Sequence, residues 1–257
     1  MFPLRDHPPA LRTPWVNYLL LAVNVTVFAW TIYALPDADA QQRFVERFGL
    51  VPATVRFGLS HPGLLFDTPY QWLRDVVLPF ITCMFLHGGL AHLAGNVWFL
   101  FVFGDNVEGR LGHARYLAFY LLCGIVASLL HVYMLPELAA VEGWGGFWHV
   151  EPNLALDAPM VGASGAIAGV LGAYLVLFPR ARILTFLPPL FLFELPALLF
   201  LGGWFVLQFF AARAELASGG MGVGVAYWAH VGGFATGLAL GLACRIAGAA
   251  PGSTRRR

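Results

Sequence analysis

Ser164 stands in the run Gly162-Ala163-Ser164-Gly165-Ala166-Ile167-Ala168-Gly169-Val170-Leu171-Gly172, a single hydroxyl among small residues at the opening of an apolar segment. Small residues let helices approach closely in lipid, and most serines in such surroundings only bond a neighbouring backbone. Close approach can also bring a base to the hydroxyl, which then becomes a nucleophile. The rest of the chain supplies the other parts. Histidine, ionising near neutrality, suits the task of accepting a serine proton, and His230 lies in another apolar segment. An attacked amide develops an oxyanion that needs preorganised donors. The backbone N–H of Ser164 and the side chains of His92 and Asn96 can provide them. His92 and Asn96 are four residues apart, so on a helix they share one face.

The elements that must position these groups are membrane helices. The 257 residues are 59% hydrophobic and 11% charged, well beyond the roughly 45–50% apolar content of a soluble domain. The chain therefore reads as a polytopic membrane protein. Its basic residues are all arginine, and a net charge of +1 provides no basic face for nucleic acid. Cys83, Cys123 and Cys244 lie in apolar runs without metal-site or disulfide spacing and are expected to be packing residues.

In chain order, residues 1–13 form a polar, proline-containing tail, and an apolar run over about 14–35 is long enough to cross a bilayer. Asn17 and Asn24 within it are expected to bond neighbouring helices. Residues 36–78 mix charges with many apolar and aromatic side chains, which suits an interfacial or partly embedded loop. Further spans are expected over about 85–103, 116–135, 159–178, 194–211 and 225–246. The fourth carries Ser164. The fifth is set to begin at Glu194, with Pro196 in its first turn and an interfacial stretch over 183–193 before it. A glycine-rich loop over 218–224 leads into the sixth span, and residues 249–257 form a second tail. The expected fold is thus all-α, a bundle of six transmembrane helices.

Ten of the fifteen arginines then lie in the tails and the loops of one side. By the positive-inside rule both termini are expected to be cytoplasmic. Spans 2, 4 and 6 all enter from the outer side, and each carries its polar residues in its first turns. His92 and Asn96, Ser164 and His230 therefore fall at one depth, shallow enough for water to reach. No acidic residue of a neighbouring span shares that depth, so a Ser–His dyad is expected and not a triad. A His-Glu-x-x-His zinc motif and a pair of intramembrane aspartates are both missing from the sequence.

The set Phe85-x-His87-x4-His92-x3-Asn96, Val107-Glu108-x2-Leu111-Gly112, Gly162-Ala163-Ser164-Gly165-Ala166 and Ala229-His230-x2-Gly233-x3-Gly237 resembles the rhomboid family of intramembrane serine proteases. The resemblance runs from about residue 80 to 245. It implies Ser164 as nucleophile, His230 as general base, and His92 and Asn96 in the oxyanion hole, with a mobile fifth helix or cap loop admitting substrate. It implies no cofactor and no metal, and as partners the lipid bilayer and transmembrane protein substrates. Trp204 resembles the family's aromatic on the gating helix. Two positions depart from the pattern. Many members carry an aromatic where this chain has Ala168, stacked under the histidine, so something else must hold His230. Some carry a phenylalanine at the position of Gly95, packed against the gating helix.

Among the supporting residues, His87 is read as a brace for the first loop and His131 as a packing residue. Glu108 and Arg110 are read as bracing the connection between spans 2 and 3. Gly162 and Gly165 flank the serine, and Gly233 and Gly237 pack span 6 against span 4, setting the distance from Ser164 to His230. Two other readings use the same residues. A catalytically silent relative would bind transmembrane clients, although inactive relatives usually lack the serine or the histidine. A small transporter would need discontinuous helices and an internal repeat, and the sequence has no such repeat.

Overall fold

The computed structural model describes residues 2–7, 9, 11–61, 68–142, 148–189, 191–217 and 224–248. The chain opens on strand β1 (Phe2–His7) and enters helix α1 (Trp15–Tyr33). Short helices α2 (Ala38–Phe48), α3 (Pro52–Ser60), α4 (Pro69–Trp72) and α5 (Pro79–Thr82) follow, the last two joined by a π-helical turn over Leu73–Val77. Long helices α6 (Leu90–Leu111) and α7 (His113–Met134) come next, then a hairpin of β2 (Leu138–Glu142) and β3 (Trp148–Pro152). The second half holds α8 (Ser164–Leu177), β4 (Arg182–Leu187), β5 (Phe191–Pro196), α9 (Ala197–Ala217) and α10 (Tyr227–Ile246). The glycine-rich run over 218–223 and the tail over 249–257 lie outside the described residues.

Among the described helices, α1, α7, α9 and α10 are long and apolar enough to cross a membrane. A fifth crossing is available if the segments Pro69–Phe85 and Leu90–Leu111, which meet at a bend of 79°, count as one broken span. The serine helix α8 has 14 residues, fewer than the roughly 20 that a full crossing takes. It is instead the centre of the bundle. Every residue from Gly165 to Tyr174 is buried, together with Leu177, with α10, α7 and α6 packed around it. A helix apolar on all sides belongs in such a position. Peripheral α9 leans mainly on α10 and turns Leu198, Leu199, Val206, Leu207 and Phe210 outward, an apolar surface suited to lipid.

Buried polar groups tie the helices together. Asn17 on α1 donates to the Leu100 carbonyl of α6 at 3.1 Å and accepts from the Tyr116 hydroxyl of α7 at 2.8 Å. Asn24 donates to the Leu20 carbonyl of its own helix at 2.7 Å. Glu108, fully buried near the end of α6, accepts from the backbone N–H groups of Val16 and Asn17 at 2.9 and 2.6 Å. Those are first-turn donors of α1, which lack an intrahelical acceptor, and the carboxylate caps them. Arg56 on α3 donates to the Val132 and Leu135 carbonyls at the end of α7, serving the opposite kind of orphan group.

Strands stand in two segments that the sequence reading gave to a tail and an interfacial stretch. The first tail contains β1, which pairs antiparallel with β4, and β4 pairs in turn with β5. The expected interfacial stretch is thus a β-hairpin in a three-stranded sheet, with Ile183 and Thr185 turned inward and buried. Glu194 lies in β5 and pairs with Arg182 at 3.3 Å, so the helix starts three residues later, at Ala197. The sheet closes the end of the bundle away from Ser164. Its plug is Asp6, buried where it accepts from the Tyr174 hydroxyl of α8 and the Asn106 amide of α6.

Candidate active site

The local chain path explains why Ser164 opens a helix. Gly162 has φ +126°, a conformation that side chains with a Cβ rarely adopt, so the segment over 159–163 cannot continue α8 backward. The expected span began at 159, which would have put the serine in the second turn. Here Ser164 is the first helical residue, and its own N–H is among the donors left without an intrahelical partner. The approach to it is pinned twice. Leu50 and Met160 exchange backbone hydrogen bonds at 3.0 and 2.8 Å, and Gly162 donates to the Cys83 carbonyl at 2.9 Å.

Three helix beginnings converge at this point. His230, in the first turn of α10, presents Nε2 at 2.7 Å from Ser164 Oγ. From α6, His92 and Asn96 come up against Gly162, two residues before the serine. A Cβ on Gly162 would fall 2.7 Å from His92 Nε2 and 3.7 Å from Asn96 Nδ2. Asn96 is buried, and its amide nitrogen has no hydrogen-bond partner among the described residues. Most buried donors are satisfied, so this one is free for an acceptor beside Gly162, two residues before Ser164. A serine whose proton can pass to an imidazole, next to a helix N-terminus and a free amide donor, can attack a carbonyl and stabilise the oxyanion that results.

Backbone contact sets the spacing of the pair. A Cβ on Gly233 would lie 1.9 Å from the Gly165 carbonyl oxygen, and one on Gly165 would lie 3.6 Å from the Ala229 carbonyl oxygen. With α10 and α8 crossing this closely, beside Ser164 and about one turn beyond His230, side chains as short as serine and histidine can meet. Ala168 is fully buried in the same crossing, where the hypothetical Gly233 Cβ stands 3.3 Å away. An aromatic at Ala168 has no room there. The ring that faces His230 comes from α9 instead: Trp204 lies with its centroid 5.8 Å away and its plane tilted by 36°. Tyr227 approaches edge-on at 6.3 Å.

His87 is buried beside His92, edge to face at 5.2 Å, and neither of its ring nitrogens is hydrogen-bonded to a described residue. It does not reach Ser164 by any hydrogen bond among the described residues. His131 is buried on α7, as a packing residue should be. Gly95 opens on empty space, with nothing within 4 Å of where its Cβ would be. One residue was missed at the sequence level: Gln208 on α9, whose Oε1 lies 2.7 Å from His230 Nδ1. The available signal was a lone amide in an apolar span, four residues after Trp204 and so on the same face.

A serine and a histidine in hydrogen-bond contact, held by the beginnings of three helices in an apolar bundle, define a class of multi-pass membrane proteins. The chain belongs to the rhomboid family: the Rhomboid domain matches residues 71–246. It is similar to mitochondrial Rhomboid protein 1 of Saccharomyces cerevisiae, 30% identical over 172 residues that make up 67% of this chain and 39% of that one. It is also similar to RHOMBOID-like protein 5 of Arabidopsis thaliana, at 29% over 194 residues, 67% of this chain and 55% of that one. A third relative is the mitochondrial presenilin-associated rhomboid-like protein of Bos taurus, at 26% over 175 residues, 68% of this chain and 36% of that one. The chain thus spans between about a third and just over half the length of these relatives.

Proposed function

We propose that this rhomboid-family protein is an intramembrane serine endopeptidase that cuts single-span membrane proteins in or near their transmembrane segment. The 2.7 Å contact between His230 Nε2 and Ser164 Oγ carries the reading. In this mechanism Ser164 Oγ attacks the carbonyl carbon of the scissile bond while its proton passes to His230 Nε2. The oxyanion is met by the Ser164 N–H and the side chains of Asn96 and His92. As the tetrahedral species collapses, the C–N bond breaks and the imidazolium returns its proton to the leaving amine. A water molecule, deprotonated by the same imidazole, then releases the acyl group from Ser164 and restores the hydroxyl.

The arginine distribution supports a topology with both termini cytoplasmic and the serine near the outer surface. The scissile bond is then presented close to that surface. A stable helix hides its peptide bonds, since each carbonyl is bonded within the helix, so the client segment must unwind. Clients should carry Gly, Pro or other weak helix formers near the outer end of the span.

The test is cleavage of a panel of single-span proteins by the purified protein in liposomes, with Ser164→Ala as control. Cleavage that is lost in the variant, and slowed when the helix-weakening residues of the client become leucine, supports the reading. Binding of clients without cleavage by the wild type would assign the chain to the silent relatives instead.

A further inference from the structure

We infer that Gln208 is a positioning residue for His230, holding the imidazole in the one tautomer that can accept the Ser164 proton. The inference rests on the dyad reading above and adds a third member that the reading lacked. Its basis is the chain of contacts Gln208 Oε1 to His230 Nδ1 at 2.7 Å and His230 Nε2 to Ser164 Oγ at 2.7 Å.

The chemistry follows from the two ring nitrogens. A neutral imidazole carries one proton, and whichever nitrogen holds it is a donor while the other is an acceptor. An amide oxygen can only accept. With Gln208 Oε1 facing Nδ1, the proton belongs on Nδ1 and the lone pair on Nε2, aimed at the serine hydroxyl. The opposite tautomer would set a bare Nδ1 against the carbonyl oxygen and an N–H against Ser164, and the serine would lose its base. When His230 takes the proton, its Nδ1–H remains hydrogen-bonded and the amide dipole lies along the new positive charge. A neutral amide serves as orienter of a catalytic histidine in the Cys-His-Asn arrangement, so no carboxylate is required.

Geometry makes the assignment specific to α9. Gln208 and Trp204 are one turn apart on that helix, and between them they hold both an edge and a face of the same ring. Trp204 alone could fix the plane of the imidazole but could not choose its tautomer. The two residues also make the base depend on how α9 is seated. Among the described residues α9 rests mainly on α10 and only lightly on α8, with Phe205 stacked on Phe234 at 4.5 Å. A displacement of α9 away from α10 would withdraw Oε1 from Nδ1 before it touched the serine helix.

The experiment uses the full chain in detergent or liposomes, with histidine nitrogen-15 resonances assigned by difference from His230→Ala. At a pH where His230 is neutral, the wild type should give the Nδ1–H tautomer. Gln208→Leu, apolar and helix-forming, should mix the tautomers. It should also lower kcat and the rate of Ser164 labelling by a fluorophosphonate on the order of 10–100-fold, less than the 10²–10⁴ that a general base itself supplies. KM and the thermal midpoint should hardly move. Gln208→Glu keeps an acceptor oxygen in place and should restore most of the labelling. An Nδ1-bare tautomer in the wild type, or a folded Gln208→Leu with unchanged tautomer and labelling rate, overturns the proposal. If the wild type neither labels nor cleaves but loses its tautomer on Gln208→Leu, the protease reading fails and the positioning role stands.

Discussion

A Cβ placed on Gly237 would stand 1.8 Å from the carbonyl oxygen of Gly169, so α10 and α8 cross there with backbone against backbone. Neither side can yield by rotating a side chain. Gly237→Ala must push the helices apart, and the cost should reach about 3 kcal/mol, the upper end of the overpacking range. The thermal midpoint should fall, and labelling of Ser164 should fall with it, because the Ser164–His230 contact hangs on the same crossing. Gly203→Ala on α9, where nothing lies within 4 Å of the new Cβ, is the control and should not lower the midpoint. Equal behaviour of the two variants would refute the close-crossing account.

Ser164 and His230 act as a unit in the proposed mechanism. Ser164→Ala and His230→Ala should each abolish cleavage, and the double variant should be no worse than either one. Fluorophosphonate should attach at Ser164, read by mass spectrometry. Appreciable turnover by either single variant, or a label on another serine, would reassign the nucleophile.

Asn96 is a buried donor without a partner among the described residues, beside Gly162, two residues before the proposed nucleophile. A donor aimed at the oxyanion matters mainly in the transition state. Asn96→Ala should therefore lower kcat by roughly 10²–10³ while client binding stays close to that of the wild type. An unchanged kcat would remove Asn96 from the site.

Burial pushes the Asp6 carboxyl above the usual carboxylate range, outweighing the hydrogen bonds from Tyr174 and Asn106 that pull it down. The folded protein then binds this proton more tightly than the unfolded chain does. Its contribution to stability is greatest at low pH and declines as pH rises from the ordinary carboxylate value through the raised one. Asp6→Asn, which cannot ionise, escapes that decline. Its thermal midpoint should gain on the wild type as pH rises from about 4 to 8. A gap that stays constant across that range would show that Asp6 does not titrate with folding.

Much of this was legible in the residues because lipid makes polar side chains conspicuous. His92, Asn96, Ser164 and His230 stood out in apolar spans, and the four-residue glycine rows announced which helices would touch. Gln208 carried the same signal but lacked a partner in any motif. Only the crossing of α9 over α10 brings it to His230. The β1–β4–β5 sheet left little trace for a different reason. Phe2 pairs with Phe186 and His7 with Arg182, partners so far apart that no local pattern links them. Nor did Asp6 suggest a buried plug, since a short polar tail reads as solvated until the strand carries it under the bundle. The start of α8 moved from 159 to 164 because a positive φ at Gly162 belongs to the tertiary fold and not to the apolar pattern.

The cap on α1 has a consequence for the order in which the protein is made. The donors of Val16 and Asn17 emerge from the ribosome some ninety residues before Glu108, the acceptor that satisfies them. At ordinary elongation rates of about 5–20 residues per second that interval is on the order of ten seconds. During biosynthesis the first helix must wait with its leading end bonded to water or headgroups, and it cannot settle to its final depth until α6 arrives. Docking of α1 is thus a late event, although α1 precedes α6 in the chain by more than fifty residues.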